Sequence, residues 1–177
     1  MKLVKTSLKD AYLIEPELQS DERGFFARAW CQQEFSQWGL NPHLVQCNIS
    51  FNRKQGTLRG LHYQVAPYEE VKLIRCTMGC IYDVIVDIRP HSPTFKQWFG
   101  IELSADNRTM LYVPEGFAHG FQTLIDHSEV FYQMSEFYKP ASARGIRWDS
   151  PLFNIQWPLE PTAISEKDKQ FENTILL

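Results

Sequence analysis

Residues 72–88 alternate polar and apolar side chains on both sides of one glycine, Gly79. A period of two sends successive side chains to opposite faces, which suits a half-buried strand and scatters around a helix. Two strands are therefore expected, joined at Gly79 and paired as a hairpin through the core. Aromatic residues make up 14% of the chain, and its nine Gly and ten Pro help to place turn signals every eight to twelve positions. Many short strands at that spacing predict an all-β sandwich or barrel. Further strands are expected at 98–103 and 109–113, around the turn Ser104-Ala-Asp-Asn107, and within 127–138. Helix is expected only at 32–38 and after Ser165, a good N-cap for the Ser165-Glu-Lys-Asp168 stretch.

A chain of 177 residues suits one domain spanning 1–177, and its mass implies about 70% of the unfolded surface buried on folding. Eighteen Lys and Arg against twenty-one Asp and Glu leave a formal charge of −3. That balance excludes a protein living on nucleic-acid backbone or anionic lipid, so any bound anion is held by local cations. The start lacks a signal-peptide apolar stretch, and the greasiest run, 80–88, is broken by Asp83 and Asp87. No membrane segment and a cytoplasmic location are expected. Cys31, Cys47, Cys76 and Cys80 form no CxxC pair and read as ordinary thiols. The glycine-rich nucleotide loops, GxSxG and HExxH are all absent.

Two stretches are dense in polar functional groups: Gly56-Thr-Leu-Arg59-Gly-Leu-His62-Tyr63-Gln64 and Pro114-Glu-Gly-Phe-Ala-His119-Gly. Their spacing resembles the two halves of the cupin signature, which implies a jelly-roll barrel. Where metal-binding cupins place a second His and a Glu, this chain has Gln64 and Lys72. An ammonium repels a metal ion, so a metal-free site is expected. His62, Lys72, His119 and Arg59 together suit proton abstraction beside a carbonyl, with cations stabilising the enolate oxygen. Asp168 is a candidate to orient His62, and Tyr132 to return a proton from the opposite side. Asp83 and Asp87 read as structural, with Asp83 orienting His119 or His62. His43, His91 and His127 read as surface residues.

Asp21-Glu-Arg-Gly-Phe-Phe26, Val45-Gln-Cys-Asn48, Leu58-Arg-Gly-Leu-His-Tyr-Gln64, Lys72-Leu-Ile-Arg75, Val86-Asp-Ile-Arg-Pro-His-Ser-Pro-Thr-Phe95, Val113-Pro-Glu-Gly-Phe-Ala-His-Gly-Phe121 and Ser165-Glu-Lys-Asp168 run in order over almost the whole chain. In this set the sequence resembles the dTDP-4-dehydrorhamnose 3,5-epimerase family. The resemblance implies a cofactor-free homodimer with exchanged N-terminal strands, inverting the carbons beside C4 of a nucleotide-linked 4-keto-6-deoxyhexose. It implies His62 as base, Asp168 as its dyad partner, Tyr132 as acid and Lys72 as donor to the enolate. On the nucleotide side it implies Arg23 and Arg59 as diphosphate clamps, Phe26 as stacking ring, and Gln46, Asn48, His119 and Tyr138 as lining. Arg suits a diphosphate through bidentate, charge-assisted bonds.

The chain departs from the pattern after Phe26, where Ala27-Arg28 replaces an aromatic and a Glu. A donor-only Arg28 at the base suits an acceptor edge such as that of cytosine. The loop Pro67-Tyr-Glu-Glu70 differs from the usual Gln-containing stretch, and Cys47 stands where Asp is common. The alternatives are an epimerase acting at C3 or C5 alone on a CDP- or GDP-linked sugar, a 3,4-ketoisomerase, and a sugar-nucleotide-binding cupin without turnover.

Overall fold

The computed structural model describes residues 1–175. In chain order the strands begin with β1 (Lys2–Lys5), β2 (Tyr12–Glu15), β3 (Gln19–Asp21) and β4 (Gly24–Phe26). Helix α1 (Gln32–Gln37) precedes β5 (Gln46–Asn52), β6 (Leu58–Gln64), β7 (Lys72–Met78) and β8 (Cys80–Asp87). There follow β9 (Trp98–Ser104), β10 (Met110–Val113), β11 (Phe117–Thr123), β12 (Ser128–Met134), β13 (Ala143–Gly145) and α2 (Glu166–Lys169). Six strands form one sheet in the order β1-β2-β10-β7-β12-β5, and five form a second in the order β13-β6-β11-β8-β9. The two sheets face each other as a jelly roll of the cupin type, so the all-β expectation holds.

Both strands of the 72–88 stretch form where the alternation puts them, but they do not pair. β7 bonds to β10 and β12, whereas β8 bonds to β9 and β11 in the other sheet. The expected hairpin is instead a corner between sheets. Gly79 makes it, with φ of +78° and no room for a side chain: a Cβ there would sit 2.9 Å from Ser128 Cα. A lone strand pair cannot reveal this, because alternation is the same whether the partner is the next strand or a distant one.

Inward side chains of both sheets meet in one cluster, with Ile74, Leu111 and Val130 from the six-stranded sheet against Ile81, Ile85 and Leu103 from the five-stranded one. Outside the first sheet, Phe35 of α1 is buried beside Ile14, Leu73, Met110 and Tyr112. The C-terminal stretch covers the second sheet's outer face, bringing Phe153 against Leu61, Val84 and Val86. Ile49 and Phe51 of β5 stay exposed on the first sheet's outer face, and open space remains between the two sheets.

The hairpin β3–β4 belongs to neither sheet, and all six of its strand residues are exposed. Its Phe25 ring lies under the Arg108 guanidinium, 4.5 Å away. β1 and β2 pair within this chain, β2 on β10, so β3–β4 is the N-terminal segment outside the main sheets. Among the described residues no helix is long and apolar enough to cross a membrane.

Candidate active site

A cleft of about 410 Å³ opens between the two sheets, within the size range of small-molecule sites. The six-stranded sheet contributes Gln46, Asn48 and Ser50 of β5, Lys72 of β7 and Tyr132 of β12. The five-stranded sheet contributes Arg59 and His62 of β6, His119 of β11 and Arg144 of β13. Tyr138 and Lys167 complete the rim.

Arg59 and His62 are three residues apart, a spacing that strict alternation sends to opposite faces. A bulge brings both to the cleft. The β6–β11 register shifts between His119 and Phe121, opposite Gly60, whose φ is +120°. Gly60 and Gly120 touch so closely that a Cβ on Gly60 would come within 2.6 Å of Gly120 Cα. Such bulges re-aim side chains beside active sites. The result sets His62 directly across from His119 on the neighbouring strand.

Each of these histidines is held by a buried carboxylate. His62 Nε2 donates to Asp168 Oδ1 at 2.8 Å, which leaves Nδ1 as the ring's basic nitrogen. Asp168 rides on α2, where its amide caps onto Ser165 Oγ at 3.0 Å, and its Oδ2 accepts from the Gly60 amide at 3.2 Å. Burial pushes the Asp168 carboxyl up, but the His62 bond and charge, the Gly60 amide and Ser165 outweigh it and hold the group below the usual carboxylate range. The second pair is His119 Nε2 with Asp83 Oδ1, again 2.8 Å, the Asp fully buried. Of the two orienting roles open to Asp83, the structure selects His119. Asp87 is structural: its carboxylate takes bonds from Arg89, Ser92 and Thr94.

Tyr132 faces the cleft from the sheet opposite His62. Burial pushes its phenol above the ordinary value, Arg59 pulls it down, and Glu70 and Tyr138 push it up again. Lys72 is buried at the start of β7 and ion-paired to Glu70. Arg59 is steered by Asn52, whose Oδ1 accepts from Nε at 2.7 Å. Gln46 donates to Asn48 at 3.1 Å along β5 and accepts from the Tyr138 amide at 3.1 Å. Gln64, at the second cupin His position, is spent on the Tyr68, Phe137 and Lys139 backbones.

Three expected residues lie elsewhere. Arg23 is on the exposed hairpin, bound to Asp21 at 2.5 Å, and Phe26 is 69% exposed. Arg28 pairs with Glu34 of α1 at 2.5 Å and lines a separate hollow of about 380 Å³ with Phe26. In the isolated chain the Arg28 guanidinium is thus held by a local carboxylate, as that of Arg23 is by Asp21. Conversely, Arg144 and Lys167 line the cleft without having been singled out. Lys167 sits beside Asp168 in a motif already noted and was legible there. Arg144 carries no local signal, because only the β13–β6 pairing brings it to the rim. Cys76 and Cys80 are pushed by burial to about 11 and about 12, whereas Cys47 is exposed on β5.

A jelly roll with a histidine on one sheet bound to a helix-borne Asp, a phenol on the other sheet and cations around the cleft defines a cupin-type acid–base protein. The sequence profile described as dTDP-4-dehydrorhamnose 3,5-epimerase matches residues 5–174. A Shigella flexneri protein of that name is 46% identical over 169 residues, covering 95% of this chain and 93% of its own. The crystal structure of the Bacillus anthracis dTDP-4-dehydrorhamnose 3,5-epimerase, with TDP and pyrophosphate bound, superposes with a TM-score of 0.93 at 44% identity, covering 96% and 97%. A Legionella pneumophila epimerase in complex with dTDP-4-keto-L-rhamnose gives 0.91 at 37% identity, covering 97% and 91%. The chain belongs to the dTDP-4-dehydrorhamnose 3,5-epimerase family.

Proposed function

We propose that this chain, folded as a single domain, inverts C3 and C5 of a dTDP-linked 4-keto-6-deoxyhexose in the cytoplasm. The observation that carries the reading is the His62–Asp168 pair facing Tyr132 across one cleft. His62 Nδ1 takes the proton from the carbon beside the C4 ketone, and the C–H electron pair moves onto O4 as an enolate. The Lys72 ammonium donates to that oxygen, and Tyr132 returns a proton to the other face of the carbon. One proton leaves and one arrives with no change of oxidation state, so the step requires no redox cofactor.

Arg59, Arg144 and Lys167 surround the cleft with positive charge, which suits a diphosphate on a chain whose net charge is slightly negative. Neither Arg144 nor Lys167 has a carboxylate partner among the described residues. Gln46, Asn48, His119 and Tyr138 line the remaining wall. We assign Arg23 and Phe26 to the cleft of a second copy, because a short exposed hairpin outside both sheets is free to lie across a partner. The functional unit is then a homodimer. The dTDP linkage is favoured because solved relatives hold TDP or dTDP-4-keto-L-rhamnose.

Proton NMR in deuterated water with dTDP-4-keto-6-deoxyglucose tests the reading. Loss of both the C3 and C5 signals is expected. Loss of one alone makes the protein a single-site epimerase, and loss of neither removes the activity.

A further inference from the structure

Gly145 of β13 stands directly across from His62 in the β13–β6 pairing. Its backbone lies outside the left-handed region, so no φ demands glycine there. What demands it is the Phe171 ring: a Cβ on Gly145 would come within 2.4 Å of three ring carbons. In an antiparallel pair a side chain at that position would lie beside that of His62, and here the ring takes the vacancy. Its centroid is 5.7 Å from that of the imidazole with the planes at 77°, an edge-to-face contact. Phe171 follows Asp168 by three residues, so one short stretch delivers both the carboxylate and the ring to His62. The chain is pinned on either side of Phe171: Arg147 donates through Nη1 to the Lys169 carbonyl at 2.9 Å and through its amide to the Glu172 carbonyl at 3.0 Å. The Lys167 ammonium stands 6.0 Å from the same ring, at the outer limit of a cation–π contact.

We propose that Phe171 is a positioning residue of the epimerase reaction, a wedge between β13 and the imidazole that fixes the plane of the His62 ring. The inference rests on the epimerase reading of the site. The bond from Nε2 to Asp168 anchors one corner of the ring, but the terminal torsion of a histidine is broad, and one hydrogen bond leaves Nδ1 room to swing. The His62 side chain is 46% exposed, so solvent rather than protein borders much of it. A second contact, at an angle to the first, removes that freedom. Nδ1 is then aimed at one point of the cleft before substrate arrives, which is the condition for taking a proton from a fixed carbon.

Phe171→Leu keeps much of the apolar volume but removes the flat ring. Its kcat for exchange at C3 and C5 is expected to fall about tenfold with KM nearly unchanged, in protein that still melts cooperatively. Gly145→Ala displaces the ring without altering it and is expected to give a similar loss. In a Phe171→Ala background the same Gly145→Ala change is expected to cost nothing further, because no ring is left to displace. The proton signals of the His62 ring, identified by their absence from His62→Ala, are expected to shift in Phe171→Leu as the aromatic ring current is lost, a reading that needs no turnover. A folded Phe171→Leu protein with wild-type kcat, a loss confined to KM, unmoved His62 signals, or full additivity of Gly145→Ala with Phe171→Ala overturns the proposal. Where Gly145→Ala does not fold, Phe171→Leu and the ring signals decide. Wild-type protein that exchanges neither C3 nor C5 proton overturns the epimerase reading instead, while the ring signals still report the contact, so the two failures are distinct.

Discussion

At the scale of single residues, the chemistry rests on what each side chain is tied to. His62 has one ring nitrogen committed to Asp168 and one left for substrate. Asp168→Asn keeps the shape but removes the carboxylate that fixes the tautomer and stabilises the imidazolium. Proton exchange at C3 and C5 is expected to fall about 10²–10⁴-fold, the span of general acid–base catalysis, with the fold intact by circular dichroism. The same Asp168 couples folding to pH. Its carboxyl is held below the usual range in the folded state, so its contribution to stability is complete above the unfolded value of about 3.9. That contribution is lost as pH falls through the depressed folded value. Thermal melts of wild type and Asp168→Asn are expected to differ at neutral pH and to converge in strong acid. At the rim, Arg144→Ala or Lys167→Ala is expected to raise KM by about tenfold, one charge-assisted bond, while kcat is retained; steady-state kinetics separate the two. His62, Lys72, Arg59 and Asp168 stood out as candidates because each sits in a compact polar motif, and Tyr132 stood out on a strand rich in aromatics. Glu70 was seen only as part of an unusual loop, since its place at the cleft wall is made by packing.

At the scale of elements, glycines set the course of the strands. Gly79→Ala keeps the alternation of β7 and β8 but forces a Cβ against Ser128 at a positive φ. A loss of about 1–3 kcal/mol is expected, measured as a lower denaturation midpoint. α2 is a single turn, too short to persist alone, and it is the mount for Asp168. Its Ser165 cap contributes about 1 kcal/mol. Ser165→Ala is therefore expected to lower kcat more than it lowers the melting temperature of the whole protein, because the loosened turn carries the carboxylate that orients His62. Strand positions were read closely: the expectations at 72–88, 98–103 and 109–113 match β7, β8, β9 and β10 to within a residue or so. What failed was the pairing of β7 with β8. Period-two patterning reports which side chains share a face, and both strands do present a face to the same core.

For the molecule as a whole, the two sheets divide the chemistry. The proposed base His62 and its partner Asp168 belong to the five-stranded sheet and α2, and the proposed acid Tyr132 belongs to the six-stranded sheet. Opposite-face proton transfer then follows from the barrel itself, since a substrate between the sheets has one face toward each. The exposed β3–β4 hairpin carries Arg23 and Phe26 away from this chain's cleft. Sedimentation is expected to give twice the 20.7 kDa chain mass. Mixing inactive His62→Ala with inactive Arg23→Ala is expected to restore activity, because a hybrid dimer pairs one intact hairpin with one intact cleft. Monomeric protein with full activity would return Arg23 to its own chain.

The sequence alone determined the strand-rich class, a nearly balanced net charge, and a set of candidate His, Asp, Tyr and cationic residues compact enough to recognise. These are local properties: alternation, turn chemistry and motif spacing act over a few residues and survive being written on a line. Tertiary structure alone decided that Gly79 is a corner, that a bulge at Gly60 turns Arg59 and His62 toward one cleft, and that Asp83 holds His119. It also decided that Arg28 is captured by Glu34, and that Arg144 and Glu70 face the cleft. Each of those depends on contacts between residues far apart in the chain, where packing of two sheets, rather than neighbouring side chains, sets the distance.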